Sequence, residues 1–306
     1  MTRFILDSGN PDEYKTIGKL AKDHNNELWG STTNPSLIAK KLAGQGKKLT
    51  TKEAFQLQRE IVFEILELVP GAVSAEVYAD SQTTSTEMVE QGKEIASWHE
   101  RVVIKLPTTV EGFKARTELR KLNIVINNTL VFSQQQIYAI CLHEHLMQKE
   151  FQAKNKWPCF ISPFIGRLDD IGESGITLVK NGMELKKSFP EKLWMLAASI
   201  RSPRHIQESI DAGSELITVP GKVYQEWFTT GNDPSAFGTN QNPSPSQDNL
   251  HKEPLWSPPV NIQCIASVEA FMAALESGEL AISHPLTDKG IIKFTEDWQA
   301  ILQRKN

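Results

Sequence analysis

The chain has 306 residues, with 33 Lys and Arg against 37 Asp and Glu for a net charge of −4. Neither sign gathers in a long block, which excludes a nucleic-acid stripe or an acidic tail but leaves small phosphates open. No run approaches the roughly 18 apolar residues that span a bilayer, so no membrane partner is expected.

The opening MTRFILDSG passes straight into a strand pattern, without the charged, apolar and small-residue regions of a signal peptide. Cys141, Cys159 and Cys264 are odd in number, widely spaced and without a CxxC pair, which argues against a disulfide framework or a structural zinc site. They fit a reducing compartment, and a cytoplasmic location is the expectation. A homo-oligomer is left open, since sequence does not give the oligomeric state.

Taken in chain order, eight short apolar runs read as strands: FIL at Phe4 to Leu6, ELW near Leu28, AVSAEV at Ala72 to Val77, and RVVIKL at Arg101 to Leu106. NIVI at Asn123 to Ile126, CFIS at Cys159 to Ser162, LWMLAAS at Leu193 to Ser199 and ELITV at Glu215 to Val219 complete the set. Segments with helical spacing lie between them, such as Glu53 to Val69 and Phe132 to His145, and this alternation implies a parallel sheet. Asn10-Pro11, Asn34-Pro35 and Ser202-Pro203 each set a capping side chain before a proline at a first helical position. Thr108 and Glu111 have capping-box spacing. A length beyond the usual single domain of roughly 100 to 200 residues still suits one α/β barrel. A (β/α)8 TIM barrel is therefore the first choice and a doubly wound open sheet the second.

After Val219 the pattern changes. Thr229 to Pro259 is rich in Gly, Asn, Pro, Ser and Gln and reads as a long loop or insertion. Two helical segments follow, Val268 to Leu275 and Thr287 to Leu302, the second placing Ile291, Ile292, Phe294 and Trp298 to pack on the barrel. The expected division is a barrel over 1–228, a loop or insertion over 229–262, and C-terminal helices over 263–306.

In such a barrel, reactive groups gather at the C-terminal ends of the strands. Asp7 follows the first strand, Thr33 and Asn34 the second, and Glu76 ends the third. Lys105 sits inside the otherwise apolar RVVIKL run; Asn127 and Thr129 follow the fifth strand, Ser162 and Arg167 the sixth, and Ser199 and Arg201 the seventh. Burial disfavours an ammonium, and a neutral amine attacks carbonyls to form a Schiff base. The competing reading is an ion pair between Lys105 and Asp7 or Glu76. Arg167 and Arg201, with the two serines, suit a phosphate, and either arginine alone equally suits a surface salt bridge. Glu76 with Thr129 suits holding a water for proton transfer, and Asp7 suits a general base. His143-Glu144-His145 lacks the i, i+4 spacing of a helical zinc motif, so no metal is expected. No glycine-rich phosphate loop is present, and no cofactor is expected.

The stretches GSTTNPSLIAKK, VSAEV, VVIKLPTTVEG, NNTLVFS, ISPFIGR, LAASIRSPRH and HPLTDKGIIKF, in this order, together resemble the transaldolase family. The resemblance implies a (β/α)8 barrel, a Schiff base on Lys105, Asp7 as general acid and base, and a catalytic water held by Glu76 and Thr129. Asn34 and Asn127 fall where the family holds the hydroxyls of a bound dihydroxyacetone unit, beside Thr33. Ser199, Arg201 and Arg167 match its phosphate positions, with Ser162 in the pocket wall. The implied reaction transfers dihydroxyacetone from sedoheptulose 7-phosphate or fructose 6-phosphate to an aldose phosphate, as in the pentose phosphate pathway.

The family also includes fructose-6-phosphate aldolases, which usually carry Gln at the position of Glu76 and Tyr at that of Phe164; this chain has the transaldolase pair. The alternatives are such an aldolase and a catalytically silent binding barrel. The chain departs from the family at Asn128, where leucine is common, at Tyr78, and in the Thr229 to Pro259 segment.

Overall fold

Eight parallel strands, each short and mostly buried, can satisfy every backbone group without an exposed edge only by closing on themselves. The computed structural model, which describes residues 2–42, 48–153, 157–230 and 249–303, has that closed barrel in the order β1 to β8. The strands are β1 Arg3–Asp7, β2 Leu28–Thr32, β3 Val73–Glu76, β4 Val102–Pro107, β5 Ile126–Val131, β6 Cys159–Pro163, β7 Leu193–Ala197 and β8 Leu216–Val219. Parallel pairing of Arg3 with Leu216 through Leu6 with Val219 closes the ring. The fold is the expected (β/α)8 barrel.

Helices α1 Pro11–Asp23, α2 Pro35–Leu42, α3 Thr51–Leu66, α4 Ser85–Ala96, α5 Val110–Lys121 and α6 Gln134–Phe151 follow the first five strands. α7 Ile165–Asp169, α8 Gly175–Lys186, α9 Pro203–Asp211 and α10 Gly221–Thr229 complete the ring, and α11 Val260–Gln263, α12 Val268–Glu276 and α13 Pro285–Gln299 come after it. Asn10 and Ser202 cap α1 and α9 ahead of prolines, and Asn34 accepts from the Leu37 amide at 2.9 Å. The capping box expected at Thr108 does not form. The Thr108 amide still donates to the Thr129 carbonyl of the strand ladder, so Thr109 caps α5 instead.

The fifth strand begins three residues later than the apolar run NIVI suggests. Asn127, Asn128 and Thr129 therefore lie within β5 rather than after it, because pairing with a strand on each side overrides the low strand preference of asparagine. The register shifts between Asn128 and Val131, and Leu130 takes a left-handed φ of 58°.

The C-terminal helix crosses the C-terminal end of the barrel. His284 caps α13 and stacks on Phe132 at 5.4 Å, while the Thr287 hydroxyl donates to the Leu130 carbonyl at 2.9 Å. Phe294 and Trp298 are buried, but Ile292 is 55% exposed, against expectation. It lies about 100° from Ile291 around the helix and so faces solvent. Residues 231–248 of the expected insertion lie outside the described residues. Its later part packs on the barrel: Ser174 donates to the His251 carbonyl at 2.8 Å, and Trp256 meets Tyr138 edge to face at 5.4 Å.

A buried charge network sits behind β5. Glu144 on α6 accepts from Arg116 at 2.6 Å and from Arg120 at 2.8 Å, both on α5, and Arg116 also donates to Asn128 at 3.1 Å. Burial alone would raise the Glu144 pKa, yet the two guanidiniums outweigh it and hold the carboxyl far below its ordinary range. His143 is buried beside Arg116 and Thr117, and its pKa is lowered first by burial and then by Arg116. His145 turns instead to Glu191, at 2.9 Å.

Glu144→Gln leaves two buried guanidiniums without an anion, which costs about 3 to 5 kcal/mol and is read as a lower melting temperature at pH 7. The carboxyl's pKa is lower folded than unfolded. Its stabilisation is therefore present above the unfolded value of about 4.3 and lost as pH falls below it. That portion of the acid-induced loss of stability is absent from the variant.

Candidate active site

Side chains in a strand alternate sides, so every second residue of each strand faces the barrel interior. At the N-terminal ends of the strands this interior is aromatic, where Trp29, Trp157 and Trp194 meet edge to face or tilted and the Arg3 guanidinium lies 4.7 Å from the Trp194 ring. Toward the C-terminal ends it turns polar. Thr32 in β2, Ser74 and Glu76 in β3, Lys105 in β4, Asn127 and Thr129 in β5 and Ser162 in β6 are all buried polar residues on this alternation. Lys105 is thus a lysine on the interior row of its strand, beside Glu76 and Asn127 in the register.

The Lys105 ammonium lies 3.0 Å from Glu76 Oε2, both side chains being 5% exposed, and donates to the Thr33 carbonyl at 3.3 Å. The Glu76 pKa is raised by burial, with Lys105 opposing that shift. The Lys105–Glu76 approach is close but off the line of a hydrogen bond. Glu76 Oε2 and Thr129 Oγ1 are accordingly two buried oxygens with no hydrogen-bond partner among the described residues. Thr33 contributes its carbonyl rather than its hydroxyl, which donates to Ser74 O at 3.0 Å.

The remaining expected residues divide between the cavity and its mouth. A cavity of about 120 Å³ is lined by Asp7, Asn34, Lys105, Asn127, Thr129, Ser162, Phe164, Arg167 and Ser199. Thr32 donates to Asp7 Oδ1 at 2.7 Å, and Asn127 is held between Ser74 at 3.1 Å and Ser162 at 2.6 Å. Arg201 lies outside this lining, 44% exposed and paired with Asp170. A larger hollow of about 1130 Å³ beside α3, α4 and α13 has Glu76 on its walls, whereas Lys105, Asp7 and the two asparagines are not on them.

The Arg167 guanidinium lies over Phe164 at 5.1 Å and over Phe294 at 5.5 Å. Its pKa is lowered by burial and then by the charge of Arg201, and an anion bound beside Arg167 would oppose both effects. The loops that carry them are latched together. Ile165 and Gly166 donate to the carbonyls of Ala198 and Ser199 at 2.9 and 3.0 Å, and Ser199 takes a left-handed φ of 57°, a conformation a non-glycine residue adopts at a cost of about 1 to 3 kcal/mol. Gly166 has no room for a side chain, since a Cβ there would lie 2.5 Å from Ser199 O and 2.7 Å from Arg201 Nε.

Sequence reasoning missed Thr32, Thr218, Leu196, Ala198 and Phe294 in the lining. Reading each strand with a period of two would have found the first four. Phe294 arrives on α13, across the barrel mouth and 5.7 Å from the Lys105 ammonium, a placement no local pattern encodes.

The model of the family described as transaldolase/fructose-6-phosphate aldolase matches residues 4–305. The chain belongs to this family. A probable transaldolase of Clostridium tetani is 36% identical over 224 residues, covering 73% of this chain and 89% of that protein. One from Lactiplantibacillus plantarum is 30% identical over 298 residues, covering 97% of both, and one from Caldicellulosiruptor saccharolyticus is 38% identical over 200 residues, covering 65% of this chain and 79% of that protein. The family and these relatives agree with a transaldolase-type transferase.

In this member of the transaldolase/fructose-6-phosphate aldolase family, Gly166→Ala forces apart the loops bearing Arg167 and Arg201. Inorganic phosphate is expected to raise the melting temperature of the unmodified chain by binding the folded state. The variant, destabilised by about 1 to 3 kcal/mol, is expected to lose most of that increment in a thermal-shift titration.

Proposed function

We propose that this chain is a transaldolase that carries a dihydroxyacetone unit on Lys105 as a Schiff base. The observation that carries the reading is the buried Lys105–Glu76 pair, with Lys105 and the unpartnered Thr129 hydroxyl on the walls of a cavity that also presents Asp7, Asn34 and Asn127.

The neutral amine of Lys105 attacks the ketone of a ketose phosphate such as sedoheptulose 7-phosphate or fructose 6-phosphate. A water between Glu76 and Thr129 relays the protons that let hydroxide leave the carbinolamine as water. The raised Glu76 pKa suits a carboxyl that must donate as well as accept. Asp7 takes the proton from the hydroxyl beside the breaking carbon–carbon bond, the aldose phosphate departs, and the bond's electron pair passes into the iminium to leave an enamine on Lys105. Asn34 and Asn127 hold the hydroxyls of the three-carbon unit. Arg167, Arg201 and Ser199 hold the phosphate of the donor and then of the acceptor, and Phe164 together with Phe294 keeps that end of the cavity dry. A tyrosine hydroxyl at position 164 would help protonate and release the bound carbanion. Phenylalanine has no such donor, and the enamine persists until an acceptor aldehyde arrives.

The test is a coupled assay of aldose phosphate release from fructose 6-phosphate, with and without erythrose 4-phosphate. Sustained release is expected only with the acceptor present; sustained release without it would make the chain a fructose-6-phosphate aldolase instead. Lys105→Met is expected to abolish turnover and to end the mass increase that borohydride reduction with fructose 6-phosphate leaves on the unmodified chain. A variant that still transfers would remove the Schiff base from Lys105.

A further inference from the structure

The proposed mechanism makes no use of one buried pair of ionisable side chains, His205 and Asp169. Both are almost fully buried, at 1% and 2% exposed, with His205 Nε2 lying 3.0 Å from Asp169 Oδ2. His205 is in the first turn of α9, and Asp169 is the last residue of α7, two residues after Arg167. The imidazole's other nitrogen, Nδ1, accepts the backbone N–H of Arg201 at 3.4 Å. A backbone N–H can only donate, so Nδ1 is the accepting nitrogen and the ring proton sits on Nε2, which lies within ion-pair reach of Asp169 Oδ2 but off the line of a hydrogen bond to it. The second oxygen of Asp169 accepts the Gly175 amide at 3.0 Å, which fixes the carboxylate against α8.

The imidazole therefore joins the helix that carries Arg167 to the backbone of Arg201. Burial and then the charge of Arg201 lower the Arg167 pKa; Asp170 pairs with the Arg201 guanidinium, while the His205 contact holds the backbone from which Arg201 extends. We infer that His205, braced by Asp169, is a positioning residue that sets the spacing of Arg167 and Arg201 and thereby selects phosphorylated over unphosphorylated aldehydes as acceptors. This rests on the proposed transaldolase reading and extends it to a residue that touches no substrate. A positioning residue of this kind acts on binding of the phosphate end and leaves the chemistry at Lys105 alone.

Two variants separate the arms of the link with little change in volume. His205→Gln keeps an amide that can reach Asp169, and His205→Asn keeps an oxygen at the place of Nδ1. Each is compared with the unmodified chain for acceptor KM, using erythrose 4-phosphate and unphosphorylated erythrose at saturating fructose 6-phosphate, and for binding of inorganic phosphate by titration calorimetry. Both variants are expected to raise KM for erythrose 4-phosphate and Kd for phosphate by about tenfold, the loss of one polar contact of the imidazole, while KM for erythrose and kcat stay within about twofold. Equal losses with both acceptors would make the pair merely structural, and unchanged constants in both variants would exclude any role; either result overturns the proposal. If the unmodified chain transfers to both acceptors with equal KM and binds no phosphate, the anion end of the proposed function fails first and takes this inference with it.

Discussion

A charged lysine inside a closed barrel is the constraint on which the rest of this architecture depends. At 5% exposure the ammonium of Lys105 has little water to solvate it, and an isolated buried charge is costly. Its environment therefore supplies a carboxylate at 3.0 Å and a carbonyl at 3.3 Å. That carboxylate is itself buried, and burial raises its pKa while Lys105 opposes the shift, so each side chain of the pair is the main compensation for the burial of the other.

The barrel can tolerate this because its two halves do different work. The N-terminal ends of the strands are filled by Trp29, Trp157, Trp194 and Phe160 in mutual ring contact, which gives the ring of strands an apolar floor. The C-terminal half then has freedom to be polar. Two of the five left-handed non-glycine backbones among the described residues lie there as well: those of Leu130 and Ser199, one beneath α13 and the other in the latch between the β6 and β7 loops. Both are locked by neighbours, Leu130 by the Thr287 hydroxyl and the close approach of Gly290, Ser199 by the Gly166 amide.

The fold was legible in the sequence because strand and helix periods differ and the caps punctuate them, as at Asn10, Asn34 and Ser202. The site was legible in part for a different reason: a lysine, a glutamate and asparagines in buried runs have no packing rationale. What local pattern could not give is long-range. The strand assignment at NIVI failed because β5 is built by its neighbours rather than by the propensity of Asn127 and Asn128. Phe294 in the cavity and the His205–Asp169 pair depend on elements 36 to more than 100 residues apart in the chain, and no spacing rule reaches that far.

The positions where the chain departs from its family bear on the site through their direction. Asn128 sits between Asn127 and Thr129, yet alternation turns it out of the barrel, where it accepts from Arg116 and donates to the Phe160 carbonyl. A leucine there would have left the Arg116 Nε–H without its acceptor inside a buried network, so the asparagine belongs with Arg116, Arg120 and Glu144 rather than with the substrate. Tyr78 likewise spends its hydroxyl on Asp80 at 2.7 Å and its amide on Gln91 at 2.9 Å, away from the cavity that Lys105 lines. Both departures thus change what braces the barrel wall while the interior row of Glu76, Lys105 and Asn127 keeps its register, and a strand can vary freely on one face so long as the other face stays fixed.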